Sequence, residues 1–311
     1  MQMLSHARHV ALAGMTAVLP FLLSVVPVQA TETPGTSSAD AGAPPPGATT
    51  KCSRPVELIL SSSSPRQGDT IKVSVRGDLG AGDGDEGRTV SFNGENFKLF
   101  EDGTGLSCLL GISPEIEPGK YPVTFGGISK QVTVVDGKFP TQHLRLPKKK
   151  DNFLASPGEK ETIKKAKQIV SAERYWKGKF EKPVKVGRIS SVFGIRRIVN
   201  GKLLKDYYHS GTDFAAGRGT PIYACGAGKV VVARTGWRLH GNTVCIDHGQ
   251  GVISIYIHMN SVSVKEGDLV KSGQMIGAVG STGRASGPHL HFGVYVNNAC
   301  VNPASWFVKT Y

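Results

Sequence analysis

Polar and apolar residues alternate along much of this chain, and the alternation is strictest over residues 289–296. There His289 and His291 share one face with Gly293 and Tyr295. The opposite face is wholly apolar and consists of Leu290, Phe292, Val294 and Val296. A period of two predicts a half-buried strand with both imidazoles on its polar face. Two histidines on one face fit either a metal site or two structural residues, so the rest of the chain has to decide.

Short alternating runs separated by Gly, Asp and Pro turns also fill residues 52–136. They lie at 56–60, 70–76, 89–92, 120–125 and 130–135. Several short strands at this spacing predict an Ig-like antiparallel β-sandwich. The region contains no set of catalytic residue types. We therefore expect it to have a positional role, as a spacer, a partner contact or a cover over another domain.

The next segment, 137–185, contains one stretch with the pattern of an amphipathic helix. Ser156 is expected to cap the helix, Pro157 suits its first turn, and Glu159 can close a capping box. Apolar residues then recur at helical spacing as far as about residue 176. The segment is therefore predicted to be a connector with one helix, whose apolar stripe packs on a neighbouring domain.

Strands and glycine turns return over residues 186–308. Alternation at 243–247 and 252–258 predicts two more strands, and the second places Ser254, Tyr256 and His258 on one polar face. Residues 264–277 have the pattern of a glycine-turned β-hairpin. The fold is thus predicted to be mainly β, with an N-terminal sandwich, a short helical connector and a C-terminal antiparallel sheet domain.

The start of the chain has the features of an export signal. Arg8 precedes an apolar run from 10 to 26, and Val28-Gln29-Ala30 suits signal peptidase. Residues 1–30 are therefore predicted to be a cleaved signal, with an uncleaved anchor as the alternative, and no later stretch is long enough to span a membrane. Residues 31–51 are rich in Pro, Gly, Ala, Ser and Thr, which predicts a flexible linker.

The formal net charge of +13 suits an anionic partner, although solubility alone would also explain it. No basic stripe is interleaved with aromatic side chains, so nucleic acid is not an expected partner. Five cysteines leave at least one unpaired if all bridges are internal. Cys52 and Cys108 could bridge the sandwich, whereas spacing does not pair the other three, Cys225, Cys245 and Cys300.

A second group of chemistry-bearing residues precedes the histidine pair. His209 and Asp213 are four residues apart, and Gly211 between them favours an extended strand. An imidazole and a carboxylate, joined by a distant histidine pair, form a nitrogen and oxygen ligand set that suits Zn²⁺. Three protein ligands are typical of a catalytic zinc, because the fourth position stays open for water and substrate.

These residues, in this order, resemble the lysostaphin-type (LytM-like) zinc metallopeptidases of bacterial cell walls. The resemblance covers about residues 186–308 and is carried by His209-x-x-x-Asp213, Tyr256-Ile257-His258 and His289-x-His291, with the flanks Gly219-Thr220-Pro221, Asp247-His248-Gly249 and Gly287-Pro288. It implies a mostly antiparallel β fold with a substrate groove. The family's later Arg-Pro pair is replaced by Arg197-Ile198, which leaves the role of that arginine open.

Carried over residue by residue, the resemblance implies that His209, Asp213 and His291 hold one Zn²⁺ per chain. His289 and His258 would then be the unliganded histidines of the active site. A neutral imidazole suits a general base near pH 7. We assign His289 as that base and His258 as the stabiliser of the tetrahedral oxyanion, and the sequence leaves a swap of the two roles open.

The function implied is an exported zinc metalloendopeptidase that hydrolyses stem or cross-bridge peptides of peptidoglycan, in the periplasm or cell envelope or secreted. A D-alanyl to diaminopimelate bond in a Gram-negative periplasm is the expected target, with a glycine bridge as the alternative. The alternative function is a non-enzymatic regulator that binds and activates another wall hydrolase. We also expect the sandwich or the connector to cover the groove in part and restrain activity.

Three further features are open at this point. His248 is expected in a turn or beside the site and not as a ligand. His240 and Asn242 can line the groove or simply form hydrogen bonds within their glycine-rich loop. Tyr207, Tyr208 and Tyr256 can contact substrate or pack at strand ends.

Overall fold

The computed structural model describes residues 54–78, 88–145 and 154–311. The predicted signal, the predicted linker and Cys52 lie outside these residues. Within them, no helix has both the length and the apolar character needed to cross a bilayer. Residues Cys52–Tyr311 cluster by their contacts into one compact unit. The division at 136 and 186 stays a proposal.

Two four-stranded antiparallel sheets pack face to face in the first part of the chain. The strands are β1 (Glu57–Leu60), β2 (Thr70–Arg76), β3 (Thr89–Phe92), β4 (Glu95–Lys98), β5 (Phe100–Glu101), β6 (Leu106–Gly111), β7 (Gly119–Phe125) and β8 (Ile128–Val134). Their orders are β1-β2-β6-β5 and β4-β3-β7-β8. Both sheets contribute to one core, with Val73 and Leu110 from the first and Val90 and Val132 from the second. The Ig-like character of this sandwich stays a prediction.

The connector helix differs from its prediction at both ends. Helix α1 spans Glu159–Lys167, and its N-cap is Gly158 in the left-handed region, with no side-chain cap. Glu159 does reach back to the Ser156 N–H, at 2.6 Å, as in a capping box. The predicted extension to about residue 176 is wrong, because the chain after Lys167 pairs with the sheet instead: the N–H of Gln250 donates to Ser171 O and that of Tyr175 to His248 O.

The remaining strands build the C-terminal part. They are β9 (Thr141–Leu144), β10 (Arg188–Ser191), β11 (Arg196–Val199), β12 (Lys202–Tyr208), β13 (Thr212–Ala215), β14 (Pro221–Tyr223), β15 (Gly228–Arg234), β16 (Asn242–Gly249), β17 (Val252–Val262), β18 (Leu269–Val270), β19 (Met275–Val279), β20 (His289–Val296) and β21 (Ala299–Val301). Helix α2 spans Pro303–Trp306.

Ten of these strands form one antiparallel sheet. Its central path is β10-β13-β20-β17-β16-β15-β18, while β19 pairs with β14 and β17, and β21 pairs with β20. Strands β12, β11 and β9 form a separate sheet, in which β9 runs parallel to β11. The mainly β, antiparallel fold is therefore confirmed. The predicted hairpin at 264–277 is wrong, because β18 pairs with β15 and β19 with other strands, so the two do not pair with each other.

Strand β20 has the two faces that its sequence predicts. Leu290, Phe292 and Val294 lie fully buried in the largest core cluster. On the other face Tyr295 packs with Ile255 and Ile257 of β17 in a smaller cluster, which α1 joins through its apolar side. The helix thus covers the sheet face that also carries the two histidines.

The sandwich contacts the C-terminal part on the side away from those histidines. Asn297 donates to Leu109 O at 2.8 Å, and the N–H of Asn302 donates to Gly68 O at 2.7 Å. Before residue 186, Trp176, Phe180 and Val184 are buried in the largest core cluster. A fragment that keeps these three side chains must therefore begin before Trp176, and Leu109 of the sandwich belongs to the same cluster.

Phe292 allows a direct test of this core. It is fully buried and lies 5.2 Å from the Tyr256 ring and 5.9 Å from the Phe307 ring, measured between centroids. Phe292→Ala is expected to lower the free energy of unfolding by about 3–5 kcal/mol, measured by urea denaturation. Val308→Ala, at a side chain 64% exposed, should change it by less than about 0.5 kcal/mol. Similar values for the two variants would contradict the burial of Phe292.

Candidate metal centre

Strand register brings Asp213 and His291 together. Asp213 of β13 is directly opposite His291 of β20, and Ser191 of β10 is directly opposite Asp213. Residues directly opposite each other in a sheet point to the same face. His289 lies two residues before His291 and is opposite Ala215, so both histidines of β20 lie on this face.

His209 reaches the same point from the turn between β12 and β13. Its side chain is nearly fully buried, and Nδ1 lies 2.7 Å from Val192 O, which identifies Nδ1–H as the donor. The turn runs close to β20, and a Cβ added at Gly211 would lie 2.3 Å from Phe292 O. Glycine at 211 therefore allows the close approach that places His209 beside His291.

Three potential ligand atoms converge here. His209 Nε2 lies 3.0 Å from Asp213 Oδ1 and 3.0 Å from His291 Nδ1, and the last two atoms are 2.9 Å apart. Because Nδ1 of neutral His209 carries the proton, its Nε2 is a bare lone pair that faces a carboxylate oxygen. Two acceptors at this distance repel each other unless a cation lies between them. The three residues therefore fit a metal ion, and no other group of three or more metal-ligating side chains occurs in the described ranges.

The electrostatics agree with this fit. Burial alone would raise the pKa of Asp213, but hydrogen bonds from a His209 or His291 ring that carries a proton on the nitrogen facing the carboxylate, in the place that a metal ion would take, hold it far below its usual range. Burial lowers the pKa of His291 to about 4. Both groups are thus in their metal-binding protonation states at neutral pH. Arg197 lies on the outer side, with Nη2 3.6 Å from Asp213 Oδ2.

His289 and His258 lie beside this centre, with ring centroids 4.8 Å apart. Nδ1 of His289 lies 2.8 Å from Gly287 O, and Nδ1 of His258 lies 2.9 Å from Thr282 O. Both contacts identify Nδ1–H as the donor, so each neutral ring has a bare Nε2. Burial and the two neighbouring histidines lower the pKa of His258 to about 3.

The placement of His258 corrects the sequence analysis. Ser254 and Tyr256 are fully buried in the sheet interior, and His258 does not share their side. Its backbone has φ 65°, which breaks the alternation and turns the ring into the groove lined by Ile257. A left-handed conformation is unfavourable for histidine and persists only where the surroundings fix it. A period-two pattern has no signal for such a reversal.

All five candidate residues line one open groove of about 570 Å³. Besides residues of the sheet strands, its lining includes side chains of the connector, of the loop at 238–240 and of the loop at 284–288, among them Gln142, Arg145, Ile163, Leu239, His240 and Arg284. The connector was one of the two segments expected to cover the groove, but Gln142 and Arg145 were not singled out, because the sequence carries no signal for the parallel pairing of β9 with β11.

The structure also places the other histidines, Asn242 and the cysteines that the sequence left open. His248 is fully buried, donates from Nδ1–H to Ala227 O, contacts Ser254 Oγ through Nε2, and does not line the groove. His240 lines the groove, as one of the two predictions states, and its ring contacts Glu159 of the connector helix at 2.7 Å. Asn242 accepts from Gly236 N–H within its loop. Cys225 and Cys245 are buried and form no disulfide in the described part of the chain.

Residues 207–303 match the family model described as Peptidase family M23, and the match includes all five candidate residues. A crystal structure of an M23 protein from Pseudomonas aeruginosa is 30% identical with a TM-score of 0.54, and it aligns over 72% of this chain and 88% of that one. The chain belongs to peptidase family M23. The resemblance recognised in the sequence is therefore confirmed.

Curated M23 relatives match over the same region. ShyB of Vibrio cholerae, named a peptidoglycan DD-endopeptidase, is 47% identical over 94 residues, which are 30% of this chain and 22% of ShyB. Mpg of Neisseria meningitidis, named a DD-carboxypeptidase/endopeptidase, is 43% identical over 136 residues, 43% of this chain and 30% of Mpg. The match thus spans less than a third of these relatives.

Proposed function

We propose that this M23 chain is an exported zinc metalloendopeptidase that hydrolyses peptide cross-links in bacterial peptidoglycan. The observation that carries the proposal is the convergence of His209, Asp213 and His291 at 2.9–3.0 Å in a groove with two further imidazoles. Relatives named peptidoglycan DD-endopeptidases support this substrate class.

In this proposal His209 binds zinc through Nε2, His291 through Nδ1 and Asp213 through a carboxylate oxygen. When bound, zinc supplies a Lewis acid that lowers the pKa of a coordinated water and polarises the scissile carbonyl. Val192 O fixes the tautomer of His209 by accepting from Nδ1–H. Arg197 orients Asp213 from its outer side, which gives this arginine a role despite its altered motif.

His289 takes the proton of the attacking water on its bare Nε2 and returns it to the leaving amine. A pKa of about 3 makes His258 a poor proton acceptor at neutral pH. His258 would instead stabilise the oxyanion as an imidazolium, after its Nε2 takes up a proton from solvent. Negative charge that develops nearby raises its pKa at the step where that proton is needed.

The identity of the products tests the proposal. Purified sacculi are incubated with the protein, and the soluble fragments are analysed by mass spectrometry. We expect peptides cut between D-alanine and diaminopimelate, with glycan strands intact. Release of glycan fragments alone, or no release from any sacculus type, would remove the endopeptidase assignment. Cleavage only in glycine-bridged walls would keep the enzyme class and change the bond.

The groove suits an acidic peptide. Among the described residues that line it are three arginines, Arg145, Arg197 and Arg284, and one carboxylate, Asp213, which belongs to the candidate metal centre. Peptidoglycan stem peptides carry free carboxylates. Amidating the carboxylates of a soluble cross-linked peptide is therefore expected to lower kcat/KM about two- to fivefold for each contacted group.

An arginine variant supplies the control for that measurement. Arg284→Gln should lower kcat/KM for the acidic peptide and leave it nearly unchanged for the amidated one. Arg88→Gln, on the sandwich and outside the groove, should preserve the difference between the two substrates. Equal rates on both peptides in the wild-type protein would contradict an electrostatic role for the groove.

Of the two segments predicted to cover the groove and restrain activity, we retain the connector. Gln142 and Arg145 of the connector line the groove, whereas no described sandwich residue does. We expect Gln142→Ala, in the full chain, to raise the hydrolysis rate about twofold or more if this side chain obstructs substrate, since a net hydrogen bond is worth about 1 kcal/mol. A fall in rate would instead identify Gln142 as a substrate contact and end the cover proposal.

A non-enzymatic regulator of another wall hydrolase is the second function considered. The intact set of His209, Asp213 and His291 disfavours it. Export to the periplasm or cell envelope is part of the proposal, supported by the predicted signal at 1–30 and by the wall-directed names of the relatives.

A further inference from the structure

The connector helix holds one wall of the groove from outside. Three successive backbone N–H groups of the loop at 238–240 donate to the connector. They are Arg238 N–H to Ser156 Oγ at 2.9 Å, Leu239 N–H to Glu159 Oε1 at 3.1 Å and His240 N–H to Glu159 Oε1 at 2.7 Å. The Nδ1 atom of His240 also lies 2.7 Å from Glu159 Oε1.

Glutamate is common in the first turn of a helix, but the side chain of Glu159 is unusual there because it is fully buried. Its second oxygen, Oε2, accepts from Ser156 N–H at 2.6 Å. Within the described residues this carboxylate is surrounded by N–H groups, which is how a buried charge is normally accommodated. Removing the carboxylate would leave several buried donors without a partner, and the loop would have to move to satisfy them.

The opposite edge of the same loop contacts the candidate catalytic residues. His240 O accepts from the backbone N–H of His258 at 2.9 Å, and Leu239 O accepts from the backbone N–H of Arg284 at 2.9 Å. Thr282, two residues before Arg284, provides the carbonyl that accepts from His258 Nδ1–H. The loop thus fixes the backbone of His258 and the segment that orients its ring.

We propose that Glu159 is a positioning residue for His258. In this proposal the connector helix fixes the loop at 238–240 and thereby holds the catalytic groove in its active geometry. This rests on the proposed function above. His258 has a left-handed backbone, which needs external restraint, and the contact from His240 O supplies one. Glu159 holds that carbonyl in place by binding the N–H of the same residue and of the one before it.

The sharpest test replaces the carboxylate by a group of the same shape. In Glu159→Gln an NH₂ replaces one of two oxygens that both accept from N–H groups, so one contact becomes repulsive. We expect kcat to fall roughly 10- to 100-fold, in the range seen for supporting residues of active sites, with KM changed less than about threefold. Zinc content should stay unchanged, since Glu159 contacts Ser156, Leu239 and His240 and not the three candidate ligands.

Glu161→Gln is the matched control, because Glu161 is on the same helix and is exposed. It should leave kcat unchanged. Equal kcat values for the two variants, or a loss confined to KM, would overturn the positioning role. If Glu159→Gln fails to fold, Ser156→Ala removes only the Arg238 contact, and an unchanged kcat in that variant would overturn the role of the connector.

A second measurement does not depend on turnover. In the zinc-loaded protein, Glu159→Gln should shift the ¹⁵N imidazole signals of His258 and His240 in NMR spectra and leave those of His209 in place. Unchanged His258 signals would contradict the inference even if the protein were active. A wild-type protein that cuts no peptidoglycan would remove the proposed function, whereas the structural coupling from Glu159 to His258 would still be decided by these spectra.

Discussion

Replacing His291 with alanine is expected to abolish peptidoglycan hydrolysis and to remove bound zinc. His291 contributes one of three converging atoms, 3.0 Å from His209 Nε2 and 2.9 Å from Asp213 Oδ1. Without it two protein ligands are left, fewer than the three that a catalytic zinc uses. Fragment release should fall to the level of the buffer control, and elemental analysis should find almost no zinc.

His143→Ala is the control for this experiment. His143 is exposed on β9 and does not line the groove, so its variant should keep full zinc and full activity. Treating the wild-type protein with a strong chelator should reproduce the loss, and added zinc should restore turnover. A His291→Ala protein that still binds zinc and still cuts would contradict the assigned ligand set. Thermal unfolding of both variants separates this outcome from a general loss of fold.

The fold was most predictable where one strand face is buried and the other is not. Strand β20 has the predicted bounds, and its apolar side lies in the largest core cluster. Strand β6 was missed because both its faces are buried, with Cys108 in the sandwich core and Leu109 in the other core. Its sequence, Leu106-Ser107-Cys108-Leu109-Leu110-Gly111, therefore shows no regular alternation of apolar and polar residues.

Local propensity failed where distant segments compete for the backbone. The helix pattern continued past Lys167, but residues 171 and 175 form backbone hydrogen bonds with the sheet at Gln250 and His248. The predicted hairpin at 264–277 failed for the same reason, because its two strands pair elsewhere. Glycine turns indicate where a chain reverses and contain no information about which strand it then joins.

The candidate site was predictable in its residue types and less so in its geometry. Motif spacing singled out all five side chains, and strand register explains why Asp213 meets His291. The left-handed backbone of His258 and the buried contact of Glu159 with the loop at 238–240 have no local signal. The contact of Glu159 with Leu239 and His240 joins positions about 80 residues apart, so no local pattern can indicate it.

His289→Ala is expected to lower kcat about 10²- to 10⁴-fold while zinc content stays the same, because the change removes a general base and no ligand. A base acts in its unprotonated form, so the wild-type rate should rise with pH on the acidic side of its profile. That rise should disappear in His289→Ala, and added imidazole should restore part of the rate.

His258→Asn completes the comparison, because asparagine tolerates the left-handed backbone that this position requires. It should lower kcat and keep the acidic rise, since His289 still accepts the water proton. If the rise disappears in His258→Asn and persists in His289→Ala, the two histidines have exchanged roles. If neither variant changes the profile, the proton is carried by another group in the groove, and the assignment of both imidazoles to catalysis is wrong.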